Sequence, residues 1–219
     1  MMRYLGLALL GTVPALVLAA DGQPAVTFKK DEVGKLPAGW TVAKTGTGAG
    51  STWKVVADAT APSKSGQALA QTAAGDKPVF NLCVLNDSSF QDGEISVAFK
   101  SIKGEVDQGG GILWRYQDPD NYYIARMNPL EDNYRVYKVV AGKRVQLATT
   151  KEEVKIKDNA WTTLKIKQAG DQIECFLDGK KFLEAKDDAL PKAGKVGLWT
   201  KADAYTHFDQ LQISPTGKK

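Results

Sequence analysis

The chain has 219 residues, of which 43% are hydrophobic and 25% charged, and a formal net charge of +4. That is enough apolar material for one domain with a sizeable core. Lys and Arg are interspersed with Asp and Glu along the whole chain, a solvated surface that argues against nucleic acid as a partner, which needs clustered basic residues.

Residues 1–20 read as a secretory signal peptide. Arg3 supplies the positive n-region, an apolar run extends from Tyr4 to Leu18, and Ala19 and Ala20 allow cleavage before Ala20 or before Asp21. Gly6, Gly11 and Pro14 interrupt the run, which is shorter than the about 20 residues of a spanning helix. The expectation is a secreted or periplasmic monomer with no membrane span after cleavage and a single domain over residues 21–219.

Strand signals dominate the rest. Period-two alternation places Ile95, Val97 and Phe99 on one face and Glu94, Ser96 and Lys100 on the other. Leu164 and Ile166 oppose Thr163, Lys165 and Lys167, and Ile173, Cys175 and Leu177 share a side. Asp178-Gly179 is a strong hairpin signal, because both residue types tolerate positive φ, and Ala141-Gly142 is a weaker one. Strands are predicted at 53–57, 79–85, 94–100, 110–116, 122–127, 134–140, 144–147, 162–167, 172–177, 180–183, 195–200 and 205–213, with loops at 43–50 and 58–66. No amphipathic helix and no repeat is visible. A dozen short strands around one core predict an all-β, two-sheet antiparallel sandwich or jelly roll.

Two cysteines, Cys83 and Cys175, each lie in an apolar strand. An even count in an exported chain allows one disulfide, and two buried thiols fit the same pattern. With a single histidine they fall short of an ordinary zinc site.

The segment 107–138 differs from the rest: it packs one Trp and five Tyr beside three Arg. Its three strands place Ile112, Trp114 and Tyr116 opposite Leu113 and Arg115, then Tyr122, Ile124 and Arg126 opposite Tyr123, Ala125 and Met127, then Arg135, Tyr137 and Val139 opposite Tyr134, Val136 and Lys138. Both faces carry large side chains. A strand with one face in the core and the other lining a groove has this pattern. Aromatic rings suit sugar faces, and Arg, Asn and carboxylates suit dense hydroxyls. The competing reading makes the rings core and pairs the arginines with Asp118, Asp120, Glu131 or Asp132.

The order of Leu36-Pro-Ala-Gly-Trp40, Gly109-Gly-Gly-Ile-Leu-Trp-Arg-Tyr116, Asp120-Asn-Tyr-Tyr123, Leu177-Asp-Gly-Lys180, Gly194-Lys-Val-Gly-Leu-Trp-Thr200 and Phe208-Asp209 resembles the concanavalin A-like lectin/glucanase superfamily. More narrowly it resembles the bacterial 3-keto-disaccharide hydrolase family. The resemblance spans nearly the whole chain beyond the leader and implies a jelly roll of two curved sheets with a sugar-related concave face.

Catalytic signals are sparser. The family 16 glycosidases on this fold carry Glu-x-Asp-x-x-Glu, but here only Glu105-Val-Asp107 matches and Gly110 stands at the last position. Glu131 and Asp132 are the candidate acid and base, and Asp107 and Asp203 are further candidates. A Ser-His-Asp triad would have to use His207, and no nucleophile elbow accompanies it. The superfamily resemblance allows a structural calcium ion near Asp209, and Asp118-Pro-Asp120-Asn121 is a second hard-oxygen cluster. The leading expectation is a carbohydrate-binding domain whose groove holds Trp114, Arg115, Tyr123, Arg126, Arg135, Tyr137, Trp199, Lys201 and Asp203. The alternatives are a glycoside hydrolase acting on disaccharides or 3-keto-glycosides, and a non-catalytic adhesion or scaffold module.

Overall fold

The computed structural model describes residues 24–216, so the predicted leader lies outside the described residues. Among those described, no helix is long and apolar enough to cross a membrane. A short 3-10 turn at Lys30–Glu32 precedes fourteen strands: β1 (Trp40–Thr45), β2 (Trp53–Ala57), β3 (Gln67–Gln71), β4 (Phe80–Phe90), β5 (Gly93–Lys103), β6 (Gly110–Asp118), β7 (Asn121–Asn128), β8 (Asn133–Val140), β9 (Lys143–Thr149), β10 (Thr162–Ala169), β11 (Gln172–Leu177), β12 (Lys180–Lys186), β13 (Gly194–Lys201) and β14 (Tyr205–Pro215).

They form two seven-stranded sheets, β1-β4-β13-β6-β7-β8-β9 and β12-β11-β10-β5-β14-β3-β2. The strand pairings are antiparallel throughout. Successive strands pass repeatedly between the sheets, as in a jelly roll. Both hairpin signals turn as their chemistry requires: Asp178 and Gly179 have φ of 46° and 80°, and Ala141 and Gly142 have φ of 50° and 74°.

The core lies between the sheets. Ile95, Val97, Phe99, Leu164 and Ile166 from the second sheet meet Ile112, Trp114, Tyr123, Met127 and Tyr134 from the first. Each such side chain removed from water contributes about 1.5–3 kcal/mol. Cys83 and Cys175 belong to this core as two free, buried thiols, which decides between the two readings of the pair.

The outer faces differ. On the second sheet β10 alternates buried and accessible residues, a wet outer face. On the first sheet nearly every residue of β7 is buried on both faces. A second apolar cluster explains this, with Leu82, Leu113, Tyr122, Ile124, Tyr137 and Trp199 on the outer face. The sheet curls over them. Arg144 of β9 stands 4.8 Å from the Phe80 ring of β4. Four strands separate β9 from β4 in the sheet, so a flat sheet would hold them about 24 Å apart at the usual strand spacing. Similarly, Thr45 of β1 shares a 2.6 Å hydrogen bond with the Tyr122 hydroxyl of β7.

A buried polar cluster sits on the opposite side, under the 58–66 loop. His207 Nδ1 lies 2.7 Å from Asp58 Oδ2, and Lys100 pairs with the same carboxylate and donates to Thr60 Oγ1 at 2.9 Å. The Tyr205 ring meets the His207 ring edge-on. Burial pulls His207 below the usual imidazole range, against the opposing pull of Asp58. The unfolded chain therefore binds a proton more readily, so stability falls as pH drops below about 6.5. Asp58 is shifted down, by hydrogen bonds that outweigh its burial, so its contribution is lost only at lower pH, below about 3.9. Urea midpoints between pH 8 and 5 should decline for the native chain and stay level for His207→Gln; parallel declines would place the titrating group elsewhere.

Candidate functional site

Strand register builds one transverse row on the concave outer face. Trp199 of β13 pairs with Gly111 of β6, Gly111 with Arg126 of β7, and Arg126 with Arg135 of β8. Gly111 is obligatory there: a Cβ would sit 2.3 Å from the Ala125 carbonyl oxygen.

Glu131, from the β7–β8 turn, closes one end of the row. Its Oε2 accepts from Arg126 Nη2 at 3.1 Å, Arg135 Nη1 at 3.2 Å and Asn133 Nδ2 at 3.0 Å. Burial works to raise its pKa, but the Asn133 hydrogen bond and the two guanidiniums win, and Glu131 is held below the usual carboxylate range. Asp107 lies at the other end, on the turn before β6. Glu105, Val106 and Asp107 donate their backbone N–H groups to the Asp203 carboxylate, which fixes this turn. Asp107 Oδ1 accepts from Gly109 N at 2.9 Å, and Oδ2 lies 3.7 Å from Lys201 Nζ. Burial pushes the Asp107 carboxyl up despite Arg126, the Gly109 N–H and Lys201. Two carboxyl groups around one arginine are thus shifted in opposite directions.

Arg144 covers the apolar part of the concave face. Its guanidinium carbon lies 4.5 Å from the Tyr137 ring centroid, 4.8 Å from Phe80 and 6.0 Å from Trp199. Several buried polar atoms here have no hydrogen-bond partner: Arg126 Nε, Arg144 Nη1 and Asp107 Oδ2. Orphaned polar atoms of this kind are rare in native interiors and mark places where a ligand or water completes the bonding.

Arg126, Arg135, Tyr137, Trp199 and Lys201 therefore converge on the concave side, with Glu131. Three expected groove residues do not. Trp114 stacks on Tyr123 in the core between the sheets and donates from Nε1 to Gln168 at 2.9 Å. Tyr123 donates to Asp187 Oδ1 at 2.7 Å and accepts from Leu190 N. Arg115 is buried, with its donors on the carbonyls of Gln91, Leu190 and Gly170. Its φ of 48° creates a bulge in β6. The bulge also moves Tyr116 away from Ile112 and Trp114, onto the outer face beside Tyr122.

Asp203 holds the Asp107 turn and so acts on the site through that turn. Asp132 adopts φ 49° in the β7–β8 turn, and among the described residues its carboxylate makes no hydrogen bond or ion pair; Asp107 replaces it as the second carboxyl group of the site. Asp209 lies across the molecule, where Oδ2 accepts from Ser63 N. Among the described residues no three His, Cys, Asp or Glu side chains gather in a metal-ligating group. Asp118 closes a local turn by accepting from Asp120 N and Asn121 Nδ2. A recess of about 900 Å³ opens between β9 and β12, but it includes none of the candidate residues and no orphaned polar atom.

Arg144 and Gly111 were missed by sequence reasoning. Gly111 had a signal in the three-glycine run. Arg144 had none, because its role depends on the curl of the sheet.

This architecture is that of the concanavalin A-like and galectin-like jelly rolls. The chain resembles carbohydrate-binding module CBM66 from Bacillus subtilis, at 24% identity and a TM-score of 0.60, over 79% of this chain and 93% of that one. It also resembles the Bacillus licheniformis beta-glucanase (14% identity, TM-score 0.56, 84% and 96% covered) and the exoplasmic/lumenal domain of VIP36 in a Ca2+/Man-bound form (14%, 0.56, 88% and 91%). No curated protein matches the chain. Residues 28–214 match the model of the 3-keto-alpha-glucoside-1,2-lyase-like domain, and the chain belongs to that family.

Proposed function

We propose that the concave face of the first sheet is a saccharide site centred on Arg126. The orphaned donors and acceptor at Arg126 Nε, Arg144 Nη1 and Asp107 Oδ2 carry this reading. Sugars present many hydroxyl and carbonyl groups on a small frame, and the Tyr137 and Trp199 rings lie beside the site in a buried apolar cluster under Arg144. The family makes a 3-keto-α-glucoside the first ligand to test.

A second reading is catalytic, and the opposed shifts of Asp107 and Glu131 favour it. In a 1,2-elimination the C3 ketone acidifies the C2–H bond. A base takes the C2 proton, the C–H electron pair forms the C1=C2 double bond, and the C1–O bond breaks. An acid protonates the departing oxygen, so the products are an alcohol and an unsaturated keto sugar. Glu131, held ionised, suits the base. Asp107, pushed toward its neutral form, suits the acid. Incubation with a 3-keto-α-glucoside should release the alcohol and generate the ultraviolet absorbance of an enone. Glu131→Gln and Asp107→Asn should each slow turnover about 100-fold or more. Turnover unchanged in both variants would remove these groups from the chemistry, and binding without turnover in the native chain would leave a pure binding site.

A further inference from the structure

The concave site has more positive charge than its own carboxylates balance. Arg126, Arg135 and Lys201 surround Glu131 and Asp107, and Arg144 lies over the adjoining rings. Glu131 uses a single oxygen, Oε2, to accept from both Arg126 and Arg135. Burial raises the Asp107 carboxyl against the pull of Arg126, the Gly109 N–H and Lys201. Its distance to Lys201, 3.7 Å, is longer than a hydrogen bond. Among the described residues no carboxylate pairs with Arg144. Three guanidiniums and an ammonium thus face two carboxyl groups, Glu131 and Asp107.

Burying a cation without a partner is costly. Arg126 is 1% exposed, yet its Nε has no acceptor. Arg144 Nη1 is likewise buried without one, and its three close neighbours are aromatic rings that accept no proton in the plane of the guanidinium. Burial pulls the Arg144 guanidinium below its ordinary value; the Arg126 charge adds to that pull, and Tyr137, Asp107 and Glu131 oppose it without reversing it. Planar guanidinium forks match the paired oxygens of a carboxylate or sulfate far better than they match an isolated hydroxyl.

We propose that the saccharide recognised here carries an anionic substituent, a carboxylate or a sulfate, held by Arg126 and Arg144. This rests on the saccharide reading above and adds to it the charge of the ligand. The test is calorimetry at 0.15 M salt with three matched probes: an α-glucuronoside, the α-glucoside that differs only in bearing CH2OH for the carboxylate, and a 6-sulfated α-glucoside. The expected result is that at least one acidic probe binds about 30-fold or more tightly than the neutral one, the arm that binds naming carboxylate or sulfate. Arg144→Gln should remove most of that preference, with thermal unfolding as the check on folding. Equal affinity for neutral and acidic probes would overturn the anionic inference and leave the saccharide reading standing. Binding of inorganic sulfate as tight as that of the sulfated sugar, with no binding of any neutral sugar, would overturn the saccharide reading itself.

Discussion

Arg115→Ala should lower the unfolding temperature by about 10 °C. Arg115 is 2% exposed and spends its donors on three backbone carbonyls, those of Gln91, Leu190 and Gly170, each at 2.9 Å, and on Asp92 at 3.3 Å. These acceptors come from three separate segments of the chain. Truncation leaves the carbonyls without a donor and opens a cavity, a loss of about 3–5 kcal/mol. For a domain of this size each kcal/mol is about 2–4 °C. Arg115→Lys keeps the charge but reaches fewer of the acceptors, so it should fall between the two. Saccharide affinity measured well below the transition should not change, because Arg115 lies on the far side of β6 from the concave row. An unfolding temperature within about 2 °C of the native value would show that the segments hold together without it.

Arg126→Lys should weaken saccharide binding about 30-fold or more while leaving the fold intact. Lysine preserves a positive charge beside Glu131, so the ion pair that fixes the β7–β8 turn survives in part. It cannot replace the fork that reaches Glu131 and Asn133 while Nε remains free for a ligand. A hydrogen bond to a charged group contributes about 1.5–3 kcal/mol, which is about 10- to 150-fold in affinity. Arg135→Lys is the comparison: Arg135 is 31% exposed and its contact with Glu131 is screened by water, so its effect should stay below about 5-fold. Calorimetry on both variants with the tightest of the probes decides it. Equal losses at the two positions would make general positive charge, and not the buried fork, the source of affinity.

The sequence was most legible where structure is local. The alternation of Ile95, Val97 and Phe99, and of Ile173, Cys175 and Leu177, is the pleat written in residues, and these strands form where the pattern places them. Strands β1 and β3 were not predicted. Trp40–Thr45 runs three residues into the predicted 43–50 loop, and Gln67–Gln71 is Ala-rich with little β-propensity. Both form because neighbouring strands supply their hydrogen-bond partners: β1 pairs with β4, and β3 lies between β2 and β14. The site was legible in part. Arg126, Arg135 and Tyr137 share the predicted face, and that face is the concave one. Trp114 and Tyr123 could not be told from groove residues, because a two-sided apolar strand reads the same whichever face meets the core.

By itself, then, the sequence determined an all-β jelly roll, its hairpin turns, and a stretch of strands with large side chains on both faces. Those properties follow from period-two side-chain direction and from residues that tolerate positive φ, both set within a few positions of the chain. The tertiary structure alone decided which face is concave, that the first sheet curls until Arg144 reaches Phe80 and Trp199, and that Asp107 stands with Glu131 around Arg126. These depend on the accumulated twist of seven paired strands and on a bulge at Arg115, and no local pattern encodes the sum of either.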